Sequence, residues 1–196
     1  MPTITDIPSR SRHLLAGFAH IPLYAEDLAP FGGALRTNGH TIWAEHRDAG
    51  GALTGQEIIH GGPKISFSFT RGGKRALFQT AGRMRPRLLL TDGPPQAICA
   101  AALEHPDLTR RTTYAAPGGG WTPAASEALA WQLDDIEEVV LGFALAPDGS
   151  CRSRTAVEEV LELLPHGSRL AVTAMPPGPG GWVAALQAAR RSSLAA

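Results

Sequence analysis

Three features of this chain carry residue types that bind or process phosphate. The first is a pair of apolar runs that each break into a turn. Residues 88–103 read Leu-Leu-Leu-Thr-Asp-Gly-Pro-Pro-Gln-Ala-Ile-Cys-Ala-Ala-Ala-Leu, and residues 139–149 read Val-Val-Leu-Gly-Phe-Ala-Leu-Ala-Pro-Asp-Gly. A parallel sheet presents its functional residues in this way, at the carboxyl ends of its strands. Asp92 and Asp148 stand at those ends. Carboxylates there are candidate ligands for magnesium, which takes one or two of them together with waters and phosphate oxygens. Each also has a plainer reading. Asp92 can accept N–H groups at a helix start, and Asp148 can be an ordinary turn residue before Gly149.

The second feature is a basic interval. No acid lies between Glu57 and Asp92, while Lys64, Arg71, Lys74, Arg75, Arg83, Arg85 and Arg87 do. A local basic stripe is what phosphate binding requires, and a neutral protein can carry one. It also suits a solvated face, or one docked on the acidic C-terminal half. The third feature is Gly118, Gly119 and Gly120 followed by Trp121. Glycines at a strand-to-helix junction let backbone N–H groups cradle phosphate. No Lys-Ser/Thr follows, so this is not a P-loop, and a tight turn is the alternative. Trp121 is the aromatic best placed to stack on a base.

Other site chemistries find no support. His13, His20, His40, His46, His60, His105 and His166 form no His-Glu-x-x-His motif and no ligand pair with cysteine. They read as surface or structural residues. Ser126 is not in a Gly-x-Ser-x-Gly elbow. Cys99 and Cys151 fit neither a disulfide framework nor a zinc site and are expected in or near the core. Trp131 and Trp182 are expected there too, because aromatic area mostly goes to burial.

The chain has 196 residues, 43% of them hydrophobic, and a formal net charge of zero. That length suits one core, or two small lobes sharing one. Residues 1–90 hold 11 Lys/Arg against 6 Asp/Glu, and residues 91–196 hold 7 against 12, so the two halves are of opposite sign. No apolar run approaches the roughly 18 residues that cross a bilayer. The first residues lack the basic region and apolar core of a signal peptide. A cytoplasmic protein without membrane partners is expected.

The second half alternates strand and helix. Strands are expected at 87–91, 111–115, 138–143 and 169–173. Helices are expected at 94–104, from Thr122 to about 133 with Pro123 at its first position, from Ser153 or Thr155 to 164, and at 182–191. Val157, Val160, Leu161 and Leu164 are expected on one buried face of the third helix. This order predicts a parallel sheet with helices on both faces. The first half has short strands at 41–45, 55–59, 64–70 and 75–79, separated by Gly-rich turns, which reads as an antiparallel meander. Before it, 9–20 reads as a helix and 21–27 as an extended segment. The expected organisation is an antiparallel β-rich lobe over 1–84 and an α/β domain over 85–196.

In order, the chain shows Tyr24-Ala25-Glu26, Ile42-Trp43, Asp48-Ala49-Gly50-Gly51, Gly55-Gln56-Glu57 and Gly72-Gly73-Lys74-Arg75-Ala76-Leu77-Phe78. These pieces, with the two strand–turn motifs above, resemble the Toprim-domain proteins of bacterial plasmid and mobilisation regions. There a Toprim domain of primase type follows a small N-terminal domain of unknown function. The resemblance implies a Glu after the first strand and an Asp-x-Asp pair after the third, together binding magnesium. In this chain the Glu position is Asp92, the following helix has Gln96 in place of an Asp, and the Asp-x-Asp positions are Ala144 and Ala146. A late Lys-Asp-Trp-Asn motif reads Gly180-Gly181-Trp182-Val183.

The leading expectation is therefore a degenerate, catalytically inactive Toprim-like protein, a pseudoenzyme of plasmid or mobile-element DNA processing. It would act as a nucleic-acid-associated or protein-interaction module. DNA or RNA contact would run through Arg71, Lys74, Arg75, Arg83 and Arg85, with Gly118, Gly119, Gly120 and Trp121 nearby. No cofactor is expected under this reading. A second expectation is a divergent magnesium-dependent, primase-like nucleotidyl-transfer or DNA-cleaving enzyme using Asp92, with Asp148 as a further metal ligand. A third is a structural or inhibitory partner of a replication or conjugation protein.

Overall fold

The computed structural model describes residues 15–18, 21–82, 84–146, 148, 150, 153–164, 171–175 and 177–194. In chain order the strands are β1 (Leu35–Thr37), β2 (Thr41–Arg47), β3 (Leu53–His60), β4 (Ser66–Phe69), β5 (Leu77–Gln79), β6 (Arg87–Leu90), β7 (Thr112–Ala116), β8 (Glu138–Leu141) and β9 (Ala171–Ala174). The helices are α1 (Pro94–Leu103), α2 (Pro106–Arg111), α3 (Pro123–Ala130), α4 (Arg154–Leu163) and α5 (Gly181–Leu194). All nine strands lie in one sheet. Its order is β4-β3-β2-β5-β7-β6-β8-β9, with β1 paired to β2.

The first half is the antiparallel part. The β2–β3 turn closes because Asp48 Oδ1 accepts from Ala52 N at 2.9 Å and Gly51 adopts φ +78°, a left-handed conformation that glycine takes without strain. The second half is parallel: β7, β6, β8 and β9 run together. The two parts are joined where β5 pairs antiparallel with β7, Phe78 opposite Ala116.

Alternation along the strands sorts side chains onto the two faces. Leu89, Val140 and Tyr114 face a core shared with Ile98 of α1 and Leu186 of α5. Leu88, Leu90, Val139 and Leu141 face a second core shared with Leu129 of α3 and Val160 of α4. Helices thus cover both faces of the parallel strands, as the strand–helix alternation predicts. No described helix is long and apolar enough to cross a membrane.

The start of α3 follows directly from sequence. Pro123 occupies its first turn, and Thr122 Oγ1 accepts from Ala125 N at 3.2 Å while donating to Arg75 O at 2.6 Å. One hydroxyl therefore caps a helix and ties it to the β4–β5 connection. Thr122→Ala is expected to cost roughly 1–2 kcal/mol, measured by urea denaturation.

Several expectations are corrected. Residues 25–27 are not extended: Ala25–Ala34 is 3-10 helical. Asp27 sets its start, because Oδ2 accepts from Tyr24 N at 2.7 Å and Asp27 N donates back to Tyr24 O at 3.0 Å. Of the helix expected at 9–20, only residues 15–18 are described, and Ala16–Phe18 is a 3-10 turn. Trp182 is buried as expected, but Trp131 is 74% exposed. The buried face of α3 is Ala125, Ala128 and Leu129, and a residue two beyond Leu129 points roughly 200° around from it. Leu161 also faces solvent, while of the rest of the expected face Val160 is buried beside Ala156, and Val157 and Leu164 are half-buried against the same core. Strand β1 and helix α2 are additions the sequence pattern does not announce. Cys99 is buried in the first core, and Cys151 lies outside the described residues.

Candidate functional site

A cleft of about 510 Å³ opens at the carboxyl ends of β6 and β7, against the antiparallel half of the sheet. Glu57 of β3, Phe67 of β4 and Arg75 line it from one side. Asp92, Gln96 of α1 and Gly119 line it from the other. The sequence-singled residues Arg75, Asp92 and Gly119 are therefore brought together here.

Asp92 follows β6 two residues past its last pair, Leu90 with Ala115. Its Oδ2 accepts from Ala144 N at 2.7 Å, and its Oδ1 accepts from the Ser153 hydroxyl. Asp92 does not cap α1: Gly93 is the cap residue and no side chain serves it. The carboxylate instead fastens the end of β8 and the start of α4 to the end of β6. Asp148 is exposed, and its Oδ1 accepts from Ser150 N at 2.9 Å and Ser150 Oγ at 2.6 Å, the geometry of a local turn. It is not among the residues that line the cleft.

Magnesium needs several oxygens in near-octahedral array. Both oxygens of Asp92 are already engaged by protein donors, and Ala144 and Ala146 bring no oxygen in their side chains. Among the described residues, no three His, Cys, Asp or Glu side chains converge to hold a metal. The described side chains around Asp92 do not offer the oxygen set that a resident magnesium ion takes.

What the cleft does hold is a cation and a glycine turn. Arg75 lies with its guanidinium carbon 4.5 Å from the centre of the Phe69 ring, a cation–π placement. Its Nη1 donates to Gly118 O at 2.9 Å and lies 4.0 Å from Glu57 Oε2. Gly118, Gly119 and Gly120 adopt φ +68°, +72° and +142°, so the chain reverses here in a conformation other residues resist.

The remaining basic residues do not form one stripe. Arg71 and Lys74 are exposed in the β4–β5 connection, where Lys74 N donates to Thr54 O at 2.9 Å. Arg85 donates through Nη1 to Thr112 O at 3.0 Å, at the amino end of β7, opposite the glycine turn. Arg87 is there as well, paired with Glu104 at 2.9 Å and Glu138 at 3.3 Å. Arg83 lies outside the described residues. Trp121 is half-buried: its Nε1 donates to Ser126 Oγ at 2.7 Å, and its ring packs on the α3/α4 core.

One site residue escapes a reading of motifs: His46, which is buried under the glycine turn beside Glu57 of the Gly55-Gln56-Glu57 segment. Alternation carries the signal for His46, since Ile42, Ala44 and His46 are successive same-face positions and the first two are apolar. Cys99 offers no reactive thiol, because burial pushes it up from its ordinary value.

No protein-family model matches this chain, and no curated protein does. Solved structures do match. The primase fragment of the bacteriophage T7 primase-helicase protein superposes with a TM-score of 0.54 at 20% identity, over 89% of this chain and 69% of that one. A chain from the structure of bacteriophage T7 lagging-strand DNA polymerase interacting with primase domains bound to an RNA/DNA hybrid and dTTP gives 0.56 at 20% identity, over 89% and 86%. The DnaG catalytic core gives 0.50 at 15% identity, over 82% and 54%. At these identities the likeness is one of fold: this chain has a primase-like, Toprim-type α/β fold.

Proposed function

We propose that this chain binds nucleic acid on a primase-like scaffold without performing magnesium-dependent phosphoryl transfer itself. The observation that carries the reading is the state of Asp92. Asp92, the acid following β6, is spent on Ala144 N and the Ser153 hydroxyl, while Arg75, on the same cleft, stands beside a glycine turn suited to phosphate. Exposed Arg71 and Lys74 extend the positive surface from Arg75, and the proposed contact is confined to this corner, together with Gly119 and Gly120. Arg85, at the opposite end of β7, and Trp121, packed on the α3/α4 core, are left out of it. Processing of plasmid or mobile-element DNA is the setting the sequence resemblance implies.

The test is fluorescence anisotropy with labelled DNA over a salt series, with and without magnesium. Binding is expected to weaken steeply with salt and to ignore magnesium. Changing Arg71, Lys74 and Arg75 together to Ala removes up to three phosphate contacts, which should flatten the log–log salt slope by about 2 to 3. An affinity that requires magnesium and disappears in Asp92→Asn would replace this reading with the enzyme one. Absence of binding at low salt would end it.

A further inference from the structure

The hydrogen-bonding of His46 leaves a gap the size of one proton. His46 is fully buried on β2, and its Nδ1 is 3.0 Å from Ala76 O. A carbonyl oxygen only accepts, so Nδ1 carries a hydrogen and Nε2 of the neutral ring is a bare lone pair. That lone pair faces Glu57 Oε2 at 3.7 Å. Neither atom has a hydrogen-bond partner among the described residues, and both are sealed from solvent. With the ring neutral, two acceptors oppose each other in the interior, a costly arrangement that a proton on Nε2 relieves. What offsets the Glu57 charge is the Arg75 guanidinium, 4.0 Å from Oε2.

We propose that His46 and Glu57 form a proton-binding pair whose occupancy is set by the position of Arg75, so that engagement of a phosphate by Arg75 draws one proton onto His46 Nε2. The inference rests on the proposed nucleic-acid reading for its ligand, but the pair itself exists without one. With Arg75 over Glu57, carboxylate and guanidinium balance and His46 stays neutral. When Arg75 turns to a phosphate, Glu57 is left buried and uncompensated. A proton from solvent on Nε2 restores the balance, because the bare lone pair becomes an N–H donor to Oε2. Glu57 comes from β3 and Arg75 from the β4–β5 connection. Against these, the described neighbours of His46 on the adjoining elements are uncharged: the Phe69 ring of β4 at 5.2 Å, Phe78 of β5 and Gly118. Gly118 is the cover, since its Cα lies over both unpartnered atoms and its carbonyl is held by Arg75. Movement of Arg75 therefore also frees the glycine turn.

Two measurements on the full chain test this. The first needs no nucleic acid: the His46 imidazole is followed by NMR across pH in the parent and in Arg75→Ala. Removing the guanidinium imitates its departure, so at any given pH across the titration a larger share of His46 should carry the second proton in the variant than in the parent. Unchanged titration would overturn the proposal, whether or not the protein binds DNA. The second is the anisotropy assay repeated between pH 5.5 and 8.5. The parent should bind more tightly as pH falls, with a limiting slope of one proton, and Glu57→Gln should abolish the slope. Equal slopes in the parent and Glu57→Gln would also overturn it. DNA binding absent at every pH would remove the proposed function and leave the NMR comparison to decide the pair.

Discussion

Replacing Gly118 by alanine is expected to destabilise the protein by at least 3 kcal/mol, on the order of the largest single-site effects. Two costs add. The residue sits at φ +68°, where a Cβ crowds its own backbone by roughly 1–2 kcal/mol. The new methyl would also strike protein, 2.6 Å from His46 Cε1 and still closer to Glu57 Oε2. His46 cannot retreat cheaply, because Ala76 O holds it on its far side; the Glu57 carboxylate has only its side-chain torsions to yield, within a buried setting. The turn cannot lift either without breaking the Arg75 bond to Gly118 O. Chemical denaturation gives the size of the loss. Gly120→Ala is the internal control: it is left-handed too, at φ +142°, but nothing lies within 4 Å of its added methyl. It should therefore show the conformational cost without the collision.

Arg190→Ala is expected to cost about 3 kcal/mol at neutral pH, in the range for breaking a buried pair from one side. Arg190 of α5 donates through Nη2 to both oxygens of Asp27, at 2.7 and 2.8 Å, and lies 4.1 Å over the Tyr24 ring. Asp27 is nearly buried, and burial raises its carboxyl above the ordinary value despite the opposing pull of Tyr24 N–H and Arg190. Desolvation therefore outweighs the pair. The sign follows from linkage. A carboxyl raised in the folded state binds its proton more tightly there than in the unfolded chain. Its contribution is full below the unfolded value of 3.8 and is lost as pH rises through the folded value. Without Arg190 the folded value climbs further. The variant should thus lose most stability at pH 7 and recover part of the deficit as pH falls toward 5, measured by thermal melts at matched ionic strength. A deficit independent of pH would mean that lost packing on Tyr24, not the charge on Asp27, accounts for it.

How much of this was legible in the sequence varies with the interaction involved. The parallel strands were, because Leu88-Leu89-Leu90 and Val139-Val140-Leu141 are buried on both faces and read as unbroken apolar runs. Thr122-Pro123 announced α3 because its cap is made within four residues. The 3-10 helix Ala25–Ala34 was hidden, since it contains Pro30, Gly32 and Gly33 and is secured by Arg190, far along the chain. The site splits in the same way. Asp92 and the glycine turn were visible as strand-end residues, but the partners of Asp92 come from Ala144 and Ser153. Arg75 and Arg85 look equivalent in sequence, yet one reaches the carboxyl end of β7 and the other its amino end. Burial of His46 between charged Glu45 and Arg47 is decided by the strand's facing, which motif matching ignores.

The single sheet has a consequence for how the chain is made. Strand β5 hydrogen-bonds β2 on one edge and β7 on the other. During synthesis, the meander with β2, β3 and β5 emerges first, and Phe78 and its strand edge wait open until Ala116 has left the ribosome. An unpaired edge beside an uncovered aromatic invites pairing with another chain. Gly118, just past β7, also emerges after the His46–Glu57 pair it covers. Residues from the parallel half thus complete the antiparallel half, and the cleft closes only when Gly180 and Val183, near the end of the chain, join its lining.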